Sequence, residues 1–90
     1  MVVEKQLEVI NKLGLHARAA AKLVNTASAF GSEVWIELGG QSVNAKSIMG
    51  LMMLAAAAGT TVDLRVEGDD ADEATQAISD LFADRFGEDE

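Results

Sequence analysis

Alternation of apolar and polar side chains predicts four short strands in this sequence. The clearest is the Glu33–Leu38 segment, in which Val34, Ile36 and Leu38 fall on one face. The Gly39-Gly40 pair that follows predicts a two-residue hairpin, because primed turns need positive φ. The other predicted strands span residues 3–10, 41–44 and 61–67.

A helical repeat of apolar positions predicts three helices. In the first, small and apolar side chains recur at the spacing i, i+3, i+4, i+7, at Ala20, Leu23, Val24 and Ala27. The predicted helices span residues 17–30, 47–58 and 71–86, and we expect residues 88–90 to form a frayed acidic tail. Gly31 and Gly59 are typical helix stops.

The resulting order, β-α-β-β-α-β-α, predicts a single α+β domain over residues 1–90. Each strand is apolar on one face only, so one side of the sheet must be covered and the other must be wet. We therefore expect a four-stranded, mostly antiparallel sheet with all three helices on one face.

The amino-acid composition limits the class of protein and the compartment in which we expect it. The chain is 49% hydrophobic and has no cysteine, so it can fill a core and uses neither disulfides nor thiolate metal sites. No apolar run approaches the roughly 18 residues of a membrane span, and the first residues do not resemble a signal peptide. We expect a soluble cytoplasmic protein.

The net charge of −8 is spread unevenly. No acidic residue lies between Glu8 and Glu33, and this gap holds Lys12, Arg18 and Lys22. Two interpretations stay open: chance combined with a solvated acidic third helix, or a locally positive patch that attracts an anion or an acidic partner. The acidic balance argues against nucleic-acid binding.

The only histidine, His16, stands at the predicted start of the first helix. Helix N-termini present unpaired amides that suit phosphate, so the backbone of Ala17, Arg18 and Ala19 and the Arg18 guanidinium could hold a phosphoryl group. The helix dipole disfavours the imidazolium, which leaves a neutral ring nitrogen free as a nucleophile. No general base lies nearby in sequence. The plainer interpretation is a capping or surface histidine; a metal site or a catalytic triad has no support.

The second predicted helix has more apolar surface than one stripe can bury. On a helical wheel one cluster holds Leu51, Leu54, Ala55 and Ala58, a second holds Ile48, Met49 and Met52, and Met53 lies further round. Exposed methionine surface is typical of partner binding, although these side chains could also fill gaps in the core. Ser47 is a typical N-cap, and a phosphate on its hydroxyl would place negative charge beside the methionines.

Two motifs together, NKLGLHARAAAKLV and GGQSVNAKSIMGLMMLAAAAGT, resemble the HPr family of histidine-containing phosphocarriers of the bacterial phosphotransferase system. The resemblance runs from about residue 3 to residue 86, with both motifs in the expected order. It implies an open-faced β-sandwich, in which three helices cover one face of a four-stranded antiparallel sheet.

The resemblance also implies roles for residues. His16 matches the phosphorylated histidine, modified on Nδ1, and Arg18 the arginine that supports the phosphoryl group. Ser47 matches a serine that a dedicated kinase phosphorylates in some bacteria. The partners implied are enzyme I as donor and IIA-type proteins as acceptors, with no cofactor and no metal, for a monomeric carrier that is not an enzyme. The residues expected to contact partners are Leu15, Lys22, Ile48, Met49 and Met52.

Ala19 departs from the family pattern, since many members have proline there. Ala keeps a backbone N–H, so we expect the anion site to gain a donor. The segment GLHARAAAKLV and the run SIMGLMMLAAAAGT are similar to the nitrogen-related branch of the system. Two rival functions remain at this point: a small-ligand-binding βαββαβ regulatory domain, and an interaction module that uses only the methionine surface.

Overall fold

The computed structural model describes residues 1–90 and contains seven regular elements and one short turn of helix. In chain order these are β1 (Val2–Glu8), α1 (Ala17–Ser28), β2 (Glu33–Leu38), β3 (Gln41–Asn44), α2 (Ile48–Leu54), β4 (Thr61–Glu67), α3 (Ala71–Ala83) and a 3₁₀ turn at Arg85–Gly87. The predicted element order is confirmed, and β2, β3 and β4 have the predicted bounds.

The four strands form one antiparallel sheet in the order β1-β4-β2-β3. β4 lies in the middle, where Val66 is opposite Val3 on one side and Val34 on the other. β1 ends at Glu8, two residues before the predicted end. Val9 still exchanges backbone hydrogen bonds with the loop before β4, donating to Thr60 (2.8 Å) and accepting from Gly59 (2.7 Å).

The covered face of the sheet and the helices share one hydrophobic core. Val34, Ile36, Val62, Leu64 and Val66 are almost completely buried there, so the alternation in the sequence identified the inner face correctly. The opposite face carries polar and charged side chains, such as the Gln6 amide, which donates to Asp63 (3.2 Å). The open-faced β-sandwich is confirmed.

α1 follows the predicted amphipathic pattern but is slightly shorter. It buries Ala19, Ala20, Leu23 and Ala27 against the core and ends at Ser28, two residues before the predicted end. With 12, 7 and 13 residues, none of the three helices is long and apolar enough to cross a membrane.

α2 ends four residues earlier than predicted. The alanine run 55–58 favours helix by propensity, but Ala55 adopts a left-handed conformation (φ 52°) and caps the helix. The chain then turns so that the buried Ala56 accepts the backbone N–H of Leu15 (2.9 Å). A tertiary hydrogen bond thus replaces the helical continuation that the alanines would otherwise favour.

α3 ends at Ala83, not at Phe86, because two residues in the left-handed region, Arg85 and Phe86 (both φ 54°), reverse the chain. The reversal buries Phe86 completely, with its ring centroid 4.9 Å from that of Phe82. It also directs residues 88–90, here called the return segment, toward the start of α1. This placement differs from the frayed tail that the sequence suggested: the Glu90 carbonyl accepts the Lys12 N–H (3.0 Å).

Candidate functional site

His16 is the N-cap of α1. Its backbone is extended (φ −75°, ψ 177°), and its ring Nδ1 accepts the N–H of Arg18 at 3.3 Å. The first backbone bond of the helix runs from the Ala20 N–H to the His16 carbonyl (2.8 Å). The amides of Ala17, Arg18 and Ala19 precede that bond, as the first turn of a helix requires. The structure therefore brings Nδ1 and this amide group to the same place, as predicted.

The loop before His16 is fixed by close packing. Gly14 has φ +68°, and a Cβ there would lie 2.5 Å from the Ala56 carbonyl oxygen. Leu15, next along, is only 4% exposed and belongs to the core. The expectation that the Leu15 side chain contacts partners is therefore wrong: its burial fixes the loop and leaves little surface to touch.

The basic residues of the acid-free gap do surround the start of α1, but they differ in whether their charged groups already have a partner within the protein. Arg18 is exposed and its guanidinium forms no ion pair. The Lys22 ammonium donates to the Phe86 carbonyl (2.7 Å), and that of Lys12 lies 3.4 Å from a Glu90 carboxylate oxygen. Arg18 is thus the cation best placed to reach an incoming anion.

An acid lies beside His16, contrary to the sequence-based expectation. The ring Nε2 contacts the carboxylate of Glu88, and the other Glu88 oxygen accepts the side-chain amide of Asn11 (2.9 Å). The hydrogen bonds from Asn11 and His16, in that order, lower the pKa of Glu88 below its ordinary value of 4.5, and the positive charge of Arg18 contributes less. Glu88 lies 72 residues from His16 in sequence, so no local pattern could have revealed it.

An apolar surface, here called the methionine patch, is exposed on α2. The patch consists of Ile48, Met49 and Met52, which are 41%, 72% and 44% exposed, whereas Leu51 and Leu54 are buried. Met53, further round the helix and outside the patch, is 67% exposed. The leucines are therefore buried and the methionines exposed as expected, so the methionines do not fill the core. Ala55 and Ala58, which the helical wheel places on the leucine side, are exposed because the helix ends at Leu54. Ser47 caps this helix by accepting the Gly50 N–H (3.1 Å).

Comparison with known proteins identifies the family. A family model described as the HPr component phosphorylation site of the phosphotransferase system matches residues 3–84. The chain belongs to the HPr family. The phosphocarrier protein HPr of Xylella fastidiosa (strain Temecula1) is 54% identical over 88 residues, which cover 98% of this chain and 99% of that protein. The phosphocarrier protein NPr of Shewanella violacea is 45% identical over 86 residues, covering 96% and 94%.

Solved HPr structures agree with the fold. HPr-C-His from Thermoanaerobacter tengcongensis superposes with a TM-score of 0.94 at 50% identity, covering 98% of this chain and 99% of that one. A second structure from that organism, described as an HPr dimer, gives a TM-score of 0.78 at 52% identity, covering 91% and 94%. Membership of the HPr family makes this a phosphocarrier-type protein of the phosphotransferase system, and it disfavours the small-ligand-binding alternative.

Proposed function

We propose that this HPr-family chain is a phosphoryl relay that receives a phosphoryl group from phosphorylated enzyme I on Nδ1 of His16 and passes it to a IIA-type acceptor. The observation that carries the proposal is the placement of a half-buried ring nitrogen at the first amides of α1, with Arg18 exposed beside it. Family membership supplies the class of reaction.

The chemistry follows from that placement. The Nδ1 lone pair releases the Arg18 N–H and forms the new N–P bond while the bond between phosphorus and the donor breaks, and the phosphoryl oxygens stay negative throughout. The first-turn amides at residues 17–19 and the guanidinium of Arg18 offset that charge. Binding of the phosphoryl group at the surface suits a carrier that must transfer this group to an acceptor as readily as it receives it.

The methionine patch is the proposed docking surface, through Ile48, Met49 and Met52. Lys22 contributes a nearby positive charge, although its ammonium is already bonded to the Phe86 carbonyl. Ser47, at the head of the patch, is the proposed regulatory position, because a phosphate there would put about two negative charges next to apolar docking side chains.

The deciding experiment is phosphorylation by purified enzyme I and phosphoenolpyruvate. We expect an acid-labile adduct of about 80 Da, one phosphoryl group, that maps to His16. The matched variant His16→Ala should gain none while folding normally. An adduct of equal yield on His16→Ala would overturn the assignment. Normal function of that variant in the host would instead favour a module that only binds partners.

The purified protein also allows tests of its branch of the phosphotransferase system and of its oligomeric state. Transfer from the phosphorylated protein to a sugar-type and to a nitrogen-type IIA protein compares the two branches directly, and we expect the nitrogen-type acceptor to be faster. We propose a cytoplasmic monomer, and sedimentation at working concentrations would reveal any dimer.

A further inference from the structure

The return segment places a single carboxylate, that of Glu88, behind the His16 ring. One Glu88 oxygen meets the ring Nε2, and the other accepts the Asn11 amide at 2.9 Å. Each oxygen therefore has its own donor. The side chain is held firmly, being only 13% exposed on a segment that otherwise lies on the surface.

Asn11 fixes the orientation of this carboxylate. The residue is completely buried, and its Nδ2 donates both to the Gly14 carbonyl (2.8 Å) and to Glu88. Rotating the amide by half a turn would set its oxygen against two acceptors, so the present orientation is the only one that bonds. The Asn11 Oδ1 is left without a partner. An unpaired buried acceptor is unfavourable. The two hydrogen bonds that Asn11 donates must therefore offset this cost, and they are the structural contribution of its side chain.

The contacts on the two sides of the His16 ring agree on one tautomer. An ionised carboxylate only accepts hydrogen bonds, so Nε2 must carry the proton that faces Glu88. On the other side of the ring, Nδ1 accepts the Arg18 N–H at 3.3 Å, which requires a lone pair on Nδ1. The nitrogen with the lone pair is the one at the helix start, where a phosphoryl group would bind.

We propose that Glu88, held by Asn11, is a positioning residue for phosphoryl transfer to His16. It keeps the proton on Nε2 and the lone pair on Nδ1, and its charge balances the ring when the N–P bond forms. This inference rests on the proposed function. In the step, Nδ1 supplies the electron pair, the donor's bond to phosphorus breaks, and no proton leaves Nε2. The ring consequently gains one positive charge, directly facing the Glu88 carboxylate.

The test compares Glu88→Ala with Asp89→Ala, a neighbouring acidic residue for which the structure shows no hydrogen bond or ion pair. Both variants remove one negative charge from the return segment, but only the first removes the contact with the ring. We expect Glu88→Ala to reduce kcat/KM for phosphorylation by enzyme I on the order of tenfold, as loss of a charged hydrogen-bond partner does. Asp89→Ala should stay within about twofold of the unaltered protein, as surface changes generally do.

A spectroscopic measurement separates positioning from a structural role. The ¹⁵N chemical shifts of the unphosphorylated His16 ring, under conditions where the ring is neutral, report how the proton divides between Nδ1 and Nε2. We expect only Nε2–H in the unaltered protein and in Asp89→Ala, and a mixture in Glu88→Ala. Glu88→Gln keeps an acceptor oxygen without the charge, so it should restore the shifts but only part of the rate.

The outcomes distinguish this inference from the proposed function. A rate for Glu88→Ala within twofold of Asp89→Ala, or an unchanged ring spectrum, overturns the positioning role even when His16 is phosphorylated normally. If the unaltered protein is never phosphorylated on His16, the proposed function itself fails.

Discussion

The starts of α1 and α2 make an instructive pair. Each is capped by a side chain on an extended residue: Nδ1 of His16 accepts the Arg18 N–H at 3.3 Å, and the Ser47 hydroxyl accepts the Gly50 N–H at 3.1 Å. Neither first turn contains an acidic residue. The two positions that the family resemblance connects with phosphorylation are therefore both extended N-caps, although His16 accepts the amide two residues on and Ser47 the amide three residues on.

The surroundings of the two caps differ. His16 lies among charged groups, with Arg18 on one side and Glu88 on the other. Ser47 instead begins the exposed apolar methionine patch. The two capped helix starts therefore fit two different proposed roles, phosphoryl transfer at His16 and protein contact beside Ser47, because their neighbouring side chains differ.

The largest effect is expected at Gly14, in the loop before α1, which packs against the loop that follows α2. In Gly14→Ala a left-handed backbone and overlap with the Ala56 carbonyl act together, so the free energy of unfolding should fall by about 2 kcal/mol or more. Gly39→Ala is the matched control, because Gly39 has a similar φ (+60°) but nothing within 4 Å. Urea denaturation measures both. Equal losses of unfolding free energy in the two variants would show that overlap with the loop after α2 makes no contribution to the effect of Gly14→Ala.

Next in size is the effect of a charge within the methionine patch. Met49 is 72% exposed, so Met49→Lys should leave thermal stability unchanged while weakening enzyme I binding about tenfold through desolvation of the new charge. Met53→Lys, at a similarly exposed position further round the helix, should bind almost normally. Calorimetric titration tests this; unchanged affinity for Met49→Lys would remove the patch from the docking surface.

A smaller effect is expected at the α2 cap itself. Asp and Asn are both good N-cap residues, so Ser47→Asp and Ser47→Asn should fold alike and differ in one charge. We expect Ser47→Asp to slow phosphorylation of His16 several-fold and Ser47→Asn to have little effect. Rapid-quench kinetics with enzyme I compare them. Identical rates would mean that negative charge at this cap does not disturb docking.

The smallest effect concerns acid pH, and only the α1 start should respond. The folded-state pKa of Glu88 is lowered, so its contribution to stability is present above the ordinary value of 4.5 and is lost as the pH falls through the lower folded value. Amide signals of Asn11 and of residues 88–90 should shift in that window while those of α2 stay constant. The Glu88→Gln variant should lack the transition; a transition that persists there would belong to another group.

The sequence was sufficient where local rules dominate. Strict alternation determined the bounds of β2 and β4, and the N-cap role of His16 follows from its place before an amphipathic helix. Prediction failed where distant contacts decide. The Ala56 carbonyl ends α2 by pairing with Leu15, a contact that no window around the alanine run contains.

The same limit applied to the site. His16 and Arg18 were predictable because they are neighbours on one helix, whereas Glu88 reaches them only after the chain reverses at Phe86. Asn11 lies three residues after β1 and next to Lys12, so its polarity alone did not mark it as part of the site. Its importance emerges only when burial and both of its donated bonds are seen together.

Phe86 restricts how far the return segment can move. Its side chain is anchored in the core, and Glu88 follows two residues later, a span of about 7 Å when fully extended. A docking protein that pushes Glu88 aside therefore cannot move it far. If the proposed relay holds, Glu88 should return to the ring at a high effective concentration once a partner has left, and each transfer would start from the same arrangement.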